Sequence, residues 1–429
     1  MKLLIGGSPC THWSIAQTKN RETEASGIGW ELFQNYRIAR DKYQPDYFLY
    51  ENNKSMSPAI RTQITAELGV EPVLINSALL SAQNRQRLYW VGRRNPDGTY
   101  SQVAVEQPED RGILLRDILE TGIAWQEKSY CITATEYKGR NPQQTLSKHR
   151  RTMAAEPVRI GTIENGAKNQ AFESQQYRVY SPGGKSVTPC GNGGGVGAKT
   201  GLYAVPCCMR YERSPEAKRL RKQYEAHEIS HGFHEFSELH PRTDGKSNTL
   251  STVLKDNPIC EPVIEMDESG HYAISVAGGK KYPAYEVRNG LITIADKQYP
   301  IKLADGFYII RKLTVRECMR LQTVPEEYVF PVSDSQAYKM LGNGWTVDVI
   351  AHIMSHFDGL TTEPVEVLSM YDGMSCGHIA LDKLGVQPWL LRYYATEIDK
   401  YAIQTTQHNF PKTIQLGDAF QVREENWQL

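Results

Sequence analysis

The amino-acid sequence predicts an α/β fold: a doubly wound, mostly parallel sheet that carries an inserted β-rich region. Residues 1 to about 95 alternate strand-like and helix-like segments, and so do the residues from about 311 onward. Residues from about 100 to 308 are instead rich in glycine, serine, threonine, asparagine and tyrosine. Alternating strands and helices are typical of βαβ units, whereas short strands between turn signals are typical of β domains. Two α/β parts are therefore predicted to flank an insert.

The elements follow from the sequence in order. In the first part, "KLLIG", "DYFLYE", "PVLINSAL" and "RLYWVG" are predicted strands, and "GWELFQNYRIARDKY" and "SPAIRTQITAEL" are predicted helices. In the insert, "SYCITATEY", "YRVYS" and "LITIADKQYPIKL" are β-prone. In the last part, "VEVLSMYD" and "YYATEID" are predicted strands, while "TVRECMRLQ", "QAYKM", "GHIALDKLG" and "KYAIQTTQHNF" are predicted helices.

Length and composition set the broad class. The chain has 429 residues, which exceeds the roughly 250–300 at which a single core stops growing. Basic and acidic residues number 49 each, so a polyanion would have to meet a local basic surface. Eight cysteines without a CxxC pair indicate a reducing cytoplasm, with neither a zinc site nor a disulfide framework. No apolar stretch approaches the ~20 residues of a membrane span, so no membrane association is predicted.

Three consecutive strand ends in the last part carry residues suited to a nucleoside. The glycine loop "SMYDGMSCGHIAL" follows one predicted strand, Glu397 ends the next, and Asp418 ends "IQLGDAF". Backbone N–H groups at such a loop can approach a ligand, and an acidic residue one βαβ step later can accept hydrogen bonds from a ribose. An adenosine pocket is therefore predicted, although each strand-end carboxylate alone fits a solvated surface equally well.

Two other glycine-containing segments have alternative interpretations. "GMSCG" fits the G-x-S-x-G nucleophile elbow with Ser375, but Asp399 and His408, which would have to complete the triad, fall on one predicted helical segment. "GNGGGVGAKTG" suggests a phosphate loop, but Ala198 breaks the required Gly-Lys-Thr. A hydrolase and a P-loop are therefore both disfavoured.

Chemistry-bearing residues also gather at strand ends of the first part. Cys10 follows the first strand in "GGSPCTHWS", and Glu51 ends a neighbouring strand in "LYENNKS". Gln83, Arg85 and Arg87 stand at alternate positions, so their side chains share one face of an extended segment. A buried cysteine is usually only a small hydrophobe, but a thiol, a carboxyl and two guanidiniums together suit attack on an electron-poor ring.

Taken together, these segments resemble the C5-cytosine DNA methyltransferases. "GGSPC" resembles the family's nucleophile motif, "YENN" the motif with its essential glutamate, and "QNRQR" its Q-x-R-x-R motif. "RKLTVRECMRLQ" and "QAYKMLGNGWTVDVIAHI" resemble the two late motifs, and "YDGMSCG", "ATEIDKYA" and "LGDAF" resemble the three cofactor motifs. The resemblance covers nearly all of the chain outside the insert and implies a Rossmann-like class I methyltransferase core.

The order of these motifs differs from the usual one, because here the cofactor motifs follow everything else. The sequence therefore resembles a circular permutant of the family, opened between the third cofactor motif and the nucleophile strand. The predicted organisation is a catalytic domain in two parts, residues 1–118 and 309–429, with a target-recognition domain at 119–308.

The resemblance also implies roles for individual residues. Cys10 would be the thiolate that adds to C6 of a flipped-out cytosine, Glu51 would bind its N3, and Arg85 and Arg87 would orient the base. The implied S-adenosylmethionine site comprises Pro9, Asn343, Trp345, Tyr371, Asp372, Gly373, Glu397, Ile398 and Asp418. No metal is implied.

The implied partner is double-stranded DNA, and a cognate restriction endonuclease could be a second partner. The protein is expected to be a cytoplasmic monomer of bacterial or phage origin. Two other functions stay open: an RNA cytosine-C5 methyltransferase of the same fold, and a catalytically silent DNA-binding module.

Overall fold

In a computed structural model, the chain forms two compact units, residues 1–154 with 311–429 and residues 155–310. The structure describes residues 1–14, 21–138, 142–148, 151–157, 281–294, 297–303 and 305–429, and the short strands given below between residues 159 and 275. Residues 119–154 fall in the first unit, whereas the sequence predicts a domain boundary at residue 119. The extent of a target-recognition domain stays a prediction.

The first part of the chain alternates strands and helices as predicted. Its elements are β1 (Lys2–Gly6), α1 (Gly27–Tyr43), β2 (Tyr47–Asn53), α2 (Pro58–Leu68), β3 (Pro72–Asn76), β4 (Gln86–Arg94), β5 (Tyr100–Gln102) and α3 (Leu115–Ile118), and α4 (Pro142–Lys148) follows within the region predicted as the insert. Helix α2 shows why the sequence folds this way. The Ser57 hydroxyl accepts a hydrogen bond from the backbone N–H of Ile60, and Gly69 ends the helix in the left-handed conformation.

The middle of the chain consists of short strands in the described residues. They are β6 (Met153–Pro157), β7 (Arg159–Thr162), β8 (Arg178–Tyr180), β9 (Leu202–Tyr203), β10 (Cys207–Arg213), β11 (Ser237–Pro241), β12 (Ile259–Cys260), β13 (Glu265–Met266), β14 (Tyr272–Ser275), β15 (Lys281–Pro283), β16 (Tyr285–Arg288), β17 (Leu291–Ile294), β18 (Lys297–Pro300) and β19 (Gly306–Lys312). Strands β16, β17 and β18 form consecutive antiparallel pairs, and β16 also pairs with β19. The predicted strands in "YRVYS" and "LITIADKQYPIKL" are thus confirmed.

In the middle of the chain, one predicted strand is absent and one glycine-rich segment lies outside the described residues. In the β-prone run "SYCITATEY", at residues 129–137, Ser129 forms an isolated β-bridge with Gln83 and the rest is loop and turn, so the prediction of a strand there is wrong. The glycine-rich segment at 191–201, which was disfavoured as a phosphate loop, lies outside the described residues.

The last part of the chain returns to alternating helices and strands. Its elements are α5 (Val315–Leu321), α6 (Asp334–Asn343), α7 (Val347–Met354), β20 (Val365–Met370), α8 (Cys376–Lys383), β21 (Leu391–Thr396), α9 (Lys400–Asn409) and β22 (Ile414–Gly417). Every helix and strand predicted here from the sequence is present.

The sheet of the first unit joins both α/β parts in the order β22-β21-β20-β1-β2-β4-β3, with β5 paired to β4. Strands β22, β21, β20, β1 and β2 run parallel, whereas β4 is antiparallel to both β2 and β3. The reversal follows from the connection: residues 77–85 contain only a short helical turn, and a parallel crossover needs a dozen or more residues.

The core lies on both faces of this sheet. All seven residues of β2 are buried, and the first four side chains alternate between two apolar clusters. Tyr47 and Leu49 belong to the cluster that includes α7, whereas Phe48 and Tyr50 belong to the cluster that includes α1 and α2. Burial on both faces fixes the sheet, so its carboxyl edge is a rigid platform for the loops that follow the strands. Among the described helices, none has the length and apolarity that a membrane crossing requires.

Candidate active site

The loop after β1 is fastened to β2. Gly6 pairs with Tyr50 in parallel register, and the Ser8 and Tyr50 hydroxyls share a hydrogen bond of 2.6 Å. The Asn52 side-chain amide donates to the Ser8 carbonyl oxygen at 3.2 Å. The backbone of Cys10 then begins a short helical turn, and its side chain lies outside the described residues. The loop that carries residue 10 is therefore held against the end of the strand that carries Glu51.

Glu51 is buried near the carboxyl end of β2, with 9% of its surface exposed. One of its carboxylate oxygens lies 3.0 Å from Nε of Arg87, and the other accepts a 3.0 Å hydrogen bond from Nε1 of Trp345. Gly7 packs directly on this group, since a Cβ at residue 7 would lie 2.9 Å from the Glu51 carboxylate. The sequence predicts Trp345 at the cofactor; here its indole N–H is directed to Glu51.

The three side chains of the Q-x-R-x-R segment have different surroundings. Gln83 is fully buried and accepts a hydrogen bond from the backbone N–H of Ile132 at 2.9 Å. Arg85 is also buried and donates to the carbonyl oxygens of Ile132 and Gly344 at 3.2 and 2.7 Å. Arg87 is the member that pairs with Glu51. Gln83 and Arg85 thus bind backbone groups of other segments, whereas Arg87 pairs with a carboxylate.

A cysteine that the sequence analysis did not single out lies beside both arginines. The Sγ atom of Cys131 is 3.3 Å from a guanidinium nitrogen of Arg85 and 3.8 Å from one of Arg87. The stretch that contains it is loop, so no periodicity links it to β4. Only the fold brings it there.

The second group of predicted residues lies at the carboxyl ends of β20, β21 and β22. The backbone N–H of Gly373 donates to one oxygen of Glu397, and the N–H groups of Ile398 and Asp399 donate to the other, all at 2.8 Å. Gly373 has φ +60°, and a Cβ there would meet nothing within 4 Å. The loop therefore combines a backbone suited to glycine with open space above it.

Ile398 and Asp418 are exposed beside that space. Ile398 has 74% of its surface accessible, which is unusual for a large aliphatic side chain at the edge of a buried sheet. Asp418 caps the short helical turn Ala419–Arg423 by accepting from the N–H of Phe420 at 2.9 Å. Pro9 and Asn343 are also exposed. The carboxyl edge of the sheet thus offers the apolar side chain of Ile398 together with the carboxylates of Glu397 and Asp418.

Asp372 and Ser375 lie beneath the glycine loop. Asp372 accepts hydrogen bonds from the hydroxyls of Ser375 and Tyr393, the latter at 2.8 Å. Burial raises the pKa of Asp372 to about 6. Ser375 is fully buried and also shares a hydrogen bond with the Thr406 hydroxyl, so it is not the exposed nucleophile that a hydrolase elbow requires.

The strand order and the loops at the carboxyl edge of the sheet define a doubly wound α/β class, in which ligands bind outside the carboxyl ends of the strands. A family model described as C-5 cytosine-specific DNA methylase matches residues 1–358. The chain therefore belongs to the C-5 cytosine-specific DNA methylase family, which makes it a DNA (cytosine-5-)-methyltransferase.

Individual relatives agree with this family. The chain is 25% identical over 443 residues to the orphan methyltransferase M.Rho11sI of Bacillus phage rho11s, covering 82% of this chain and 83% of that protein. It is 24% identical over 383 residues to the orphan methyltransferase M.SPRI of Bacillus phage SPR, covering 82% and 81%. A solved structure of the Entamoeba histolytica methyltransferase EhMeth shares 11% identity over 83% of this chain and 77% of that chain, with a TM-score of 0.32, too low to bear on the fold.

Proposed function

We propose that the protein transfers a methyl group from S-adenosylmethionine to C5 of a cytosine flipped out of duplex DNA, through a covalent bond between Cys10 and C6 of the base. The observation that carries the proposal is the cluster of Glu51, Arg87 and Trp345, which lies against Gly7 in the loop that leads to Cys10. A base that occupies this edge would meet a carboxyl, a guanidinium and the nucleophile loop together.

The chemistry assigned to each residue follows from the needs of cytosine. C5 is a poor nucleophile, and addition of the Cys10 thiolate to C6 turns the ring into an enamine that is reactive at C5. Glu51 binds or protonates N3 and so relieves the negative charge that develops during this addition. Arg87 orients the ring carbonyl. The positive charges of Arg87 and Arg85 together stabilise the anionic site. Cys10 leaves C6 again once C5 has lost its proton.

The residues at the ends of β20, β21 and β22 fit S-adenosylmethionine. The open space above Gly373 has room for a ligand, and the exposed Ile398 provides an apolar face for an adenine ring. Glu397 would bind the ribose, Asp418 the adenine amino group, and the loop of Tyr371, Asp372 and Gly373 the methionine end, with Pro9, Asn343 and Trp345 nearby. When bound, the cofactor supplies an electrophilic methyl group.

The substrate assignment to duplex DNA rests on the inserted region. A cytosine within a duplex cannot reach such a site unless it is extruded from the stack. We assign the reading of the surrounding sequence to residues 119–308, acting as a target-recognition domain. Relatives of the chain include phage proteins named orphan methyltransferases and bacterial proteins named Type II methyltransferases. A cognate endonuclease and a monomeric state stay predictions.

The test of this function is methyl transfer from labelled S-adenosylmethionine to duplex DNA of mixed sequence, with structured RNA in parallel. We expect 5-methylcytosine at one recurring DNA motif when the product is mapped at base resolution. Transfer to RNA alone would favour the RNA methyltransferase. Cofactor binding without transfer to either nucleic acid would favour the silent DNA-binding module.

We also propose that the chain is a circular permutant within the family. When the strands are counted from β20, the sheet order β22-β21-β20-β1-β2-β4-β3 becomes 3-2-1-4-5-7-6, whose first five positions match the usual doubly wound order. The family match also ends at residue 358, before β20 begins.

A rearranged chain tests the permutation. Leu429 is joined to Met1 through a flexible linker, and the chain is reopened between Thr361 and Thr362, which are exposed residues just before β20. We expect it to fold cooperatively and to methylate the same DNA motif as the parent. A rearranged chain that stays unfolded over a series of linker lengths would contradict the proposal.

A further inference from the structure

Cys131 is the residue beside the candidate active site whose contacts the proposed chemistry does not use. Its Sγ atom is close to Nη1 of Arg85, at 3.3 Å, and to Nη2 of Arg87, at 3.8 Å. The thiol can itself donate to the Ile132 carbonyl oxygen at 3.5 Å. Two guanidiniums therefore converge on one sulfur atom.

The contact between Cys131 and Arg85 matters because the positive charge of Arg85 is buried. Only 4% of the Arg85 surface is exposed, and its other hydrogen bonds go to the carbonyl oxygens of Ile132, Gly342 and Gly344. Among the residues that the structure describes, no carboxylate lies within ion-pair distance of Arg85. A buried guanidinium without a counter-anion is costly, and carbonyl oxygens supply partial charge only. Cys131 is the ionisable group in contact with it.

The charges around Cys131 favour ionisation of its thiol. Burial acts to raise the pKa of the Cys131 thiol, but the positive charges of Arg85 and Arg87 outweigh burial, and the pKa lies below its usual value. A thiolate there would accept stronger, charge-assisted hydrogen bonds from both guanidiniums.

We propose that Cys131 is a thiolate counter-anion that positions Arg85 and Arg87, and through Arg87 the carboxylate of Glu51. It is a positioning residue, because it acts on the base only through these arginines. Arg87 contacts Glu51 through Nε, the Gln86 carbonyl oxygen through Nη1 and Cys131 through Nη2, so the sulfur is one of the groups that hold the guanidinium in place. Loss of the sulfur contact removes the negative charge from this set and weakens the hold on the guanidinium that pairs with Glu51.

The first test compares three substitutions at residue 131, and it rests on the proposed function. We expect Cys131→Ala and Cys131→Ser to lower kcat by about tenfold, with KM for DNA and for S-adenosylmethionine changed by less than about threefold. Cys131→Asp restores the negative charge and should recover activity to within about threefold of the parent. A purely structural role predicts the reverse order, since serine is the closest match in size and aspartate the poorest. That reverse order would overturn the inference.

The second test needs no methyl transfer and therefore separates the two proposals. The ultraviolet absorbance of thiolate is titrated with pH in the parent and in Cys131→Ser, and the difference between the two curves reports residue 131. We expect its midpoint below the usual value of about 8.5, and a shift to higher pH in Arg87→Gln. A midpoint at or above about 8.5 would refute the inference whatever the activity. A low midpoint in a protein that transfers no methyl group would leave the ion pair standing and refute the proposed function.

Discussion

Replacing Cys10 by serine should abolish methyl transfer to DNA, with a loss of about 10⁴-fold or more. The reason is the difference in acidity between the two side chains. A thiol is partly ionised near neutral pH, and the thiolate is the nucleophile, whereas a serine hydroxyl stays protonated unless a base activates it. The substitution keeps the size of the side chain, so cofactor affinity should change little.

Covalent trapping provides the direct measurement. A duplex that contains 5-fluorocytosine cannot lose its C5 substituent as a proton, so the bond between residue 10 and C6 should persist after transfer. We expect a protein–DNA band on a denaturing gel for the parent and none for Cys10→Ser. Cys318→Ala is the matched control, because Cys318 is buried in α5, where burial raises its pKa well above the usual value. It should retain the band.

A trapped complex with Cys10→Ser would contradict the assignment of the nucleophile. Among the thiols that the structure describes, that of Cys131 has a lowered pKa. A band that survives in Cys10→Ser but disappears in Cys131→Ser would transfer the nucleophilic role to Cys131. It would also overturn the inference that Cys131 only positions the arginines.

The framework of the site could be predicted because it depends on local patterns. Alternating strands and helices indicated parallel strands, and parallel strands end at one edge of the sheet. This rule brings the loop after β1 to the end of β2, where Gly7 contacts Glu51. It also brings Gly373 and Glu397 into hydrogen-bond contact. Each of these pairs consists of strand-end residues on neighbouring strands.

The contacts that could not be predicted involve Trp345 and Cys131, two loop residues that do not follow a strand of the parallel sheet. Trp345 and Glu51 are separated by 294 positions, and Cys131 and Arg85 by 46. No periodicity connects such pairs, and a tryptophan near a glycine motif fits a cofactor pocket equally well. The sequence therefore indicated Trp345 at the cofactor and did not single out Cys131.

The wrong strand prediction at residues 129–137 has a related cause. The residues have high β propensity, but several of their backbone N–H groups donate to side chains. Tyr130 donates to the Thr152 hydroxyl at 2.8 Å, and Ile132 donates to the Gln83 side chain at 2.9 Å. Tertiary hydrogen bonds thus replace a neighbouring strand, and propensity alone cannot anticipate them.

Replacing Glu51 by glutamine should lower kcat/KM for DNA by about 10²–10⁴-fold, the range for loss of a positioned acid or base. The substitution affects both contacts of the carboxylate. One oxygen pairs with Arg87 and the other accepts from Trp345, so Glu51 offers two acceptors to two donors. Glutamine offers one acceptor and one NH₂ group, and that NH₂ must face either Arg87 or the indole N–H. It also cannot donate a proton to N3 of cytosine.

Steady-state kinetics with matched variants separates these effects. Trp345→Phe removes the indole donor but keeps the carboxylate, so we expect a loss of about tenfold or less. Glu51→Asp keeps the charge but is one methylene shorter, and its activity should lie between that of Glu51→Gln and the parent. Binding of S-adenosylmethionine should be unchanged in Glu51→Gln, because the residues proposed to bind its adenosine lie at the ends of β20, β21 and β22. If Glu51→Gln methylates DNA at the parent rate, cytosine N3 does not need the carboxyl group, and the cluster around Glu51 serves only to hold Arg87 and Trp345 in place.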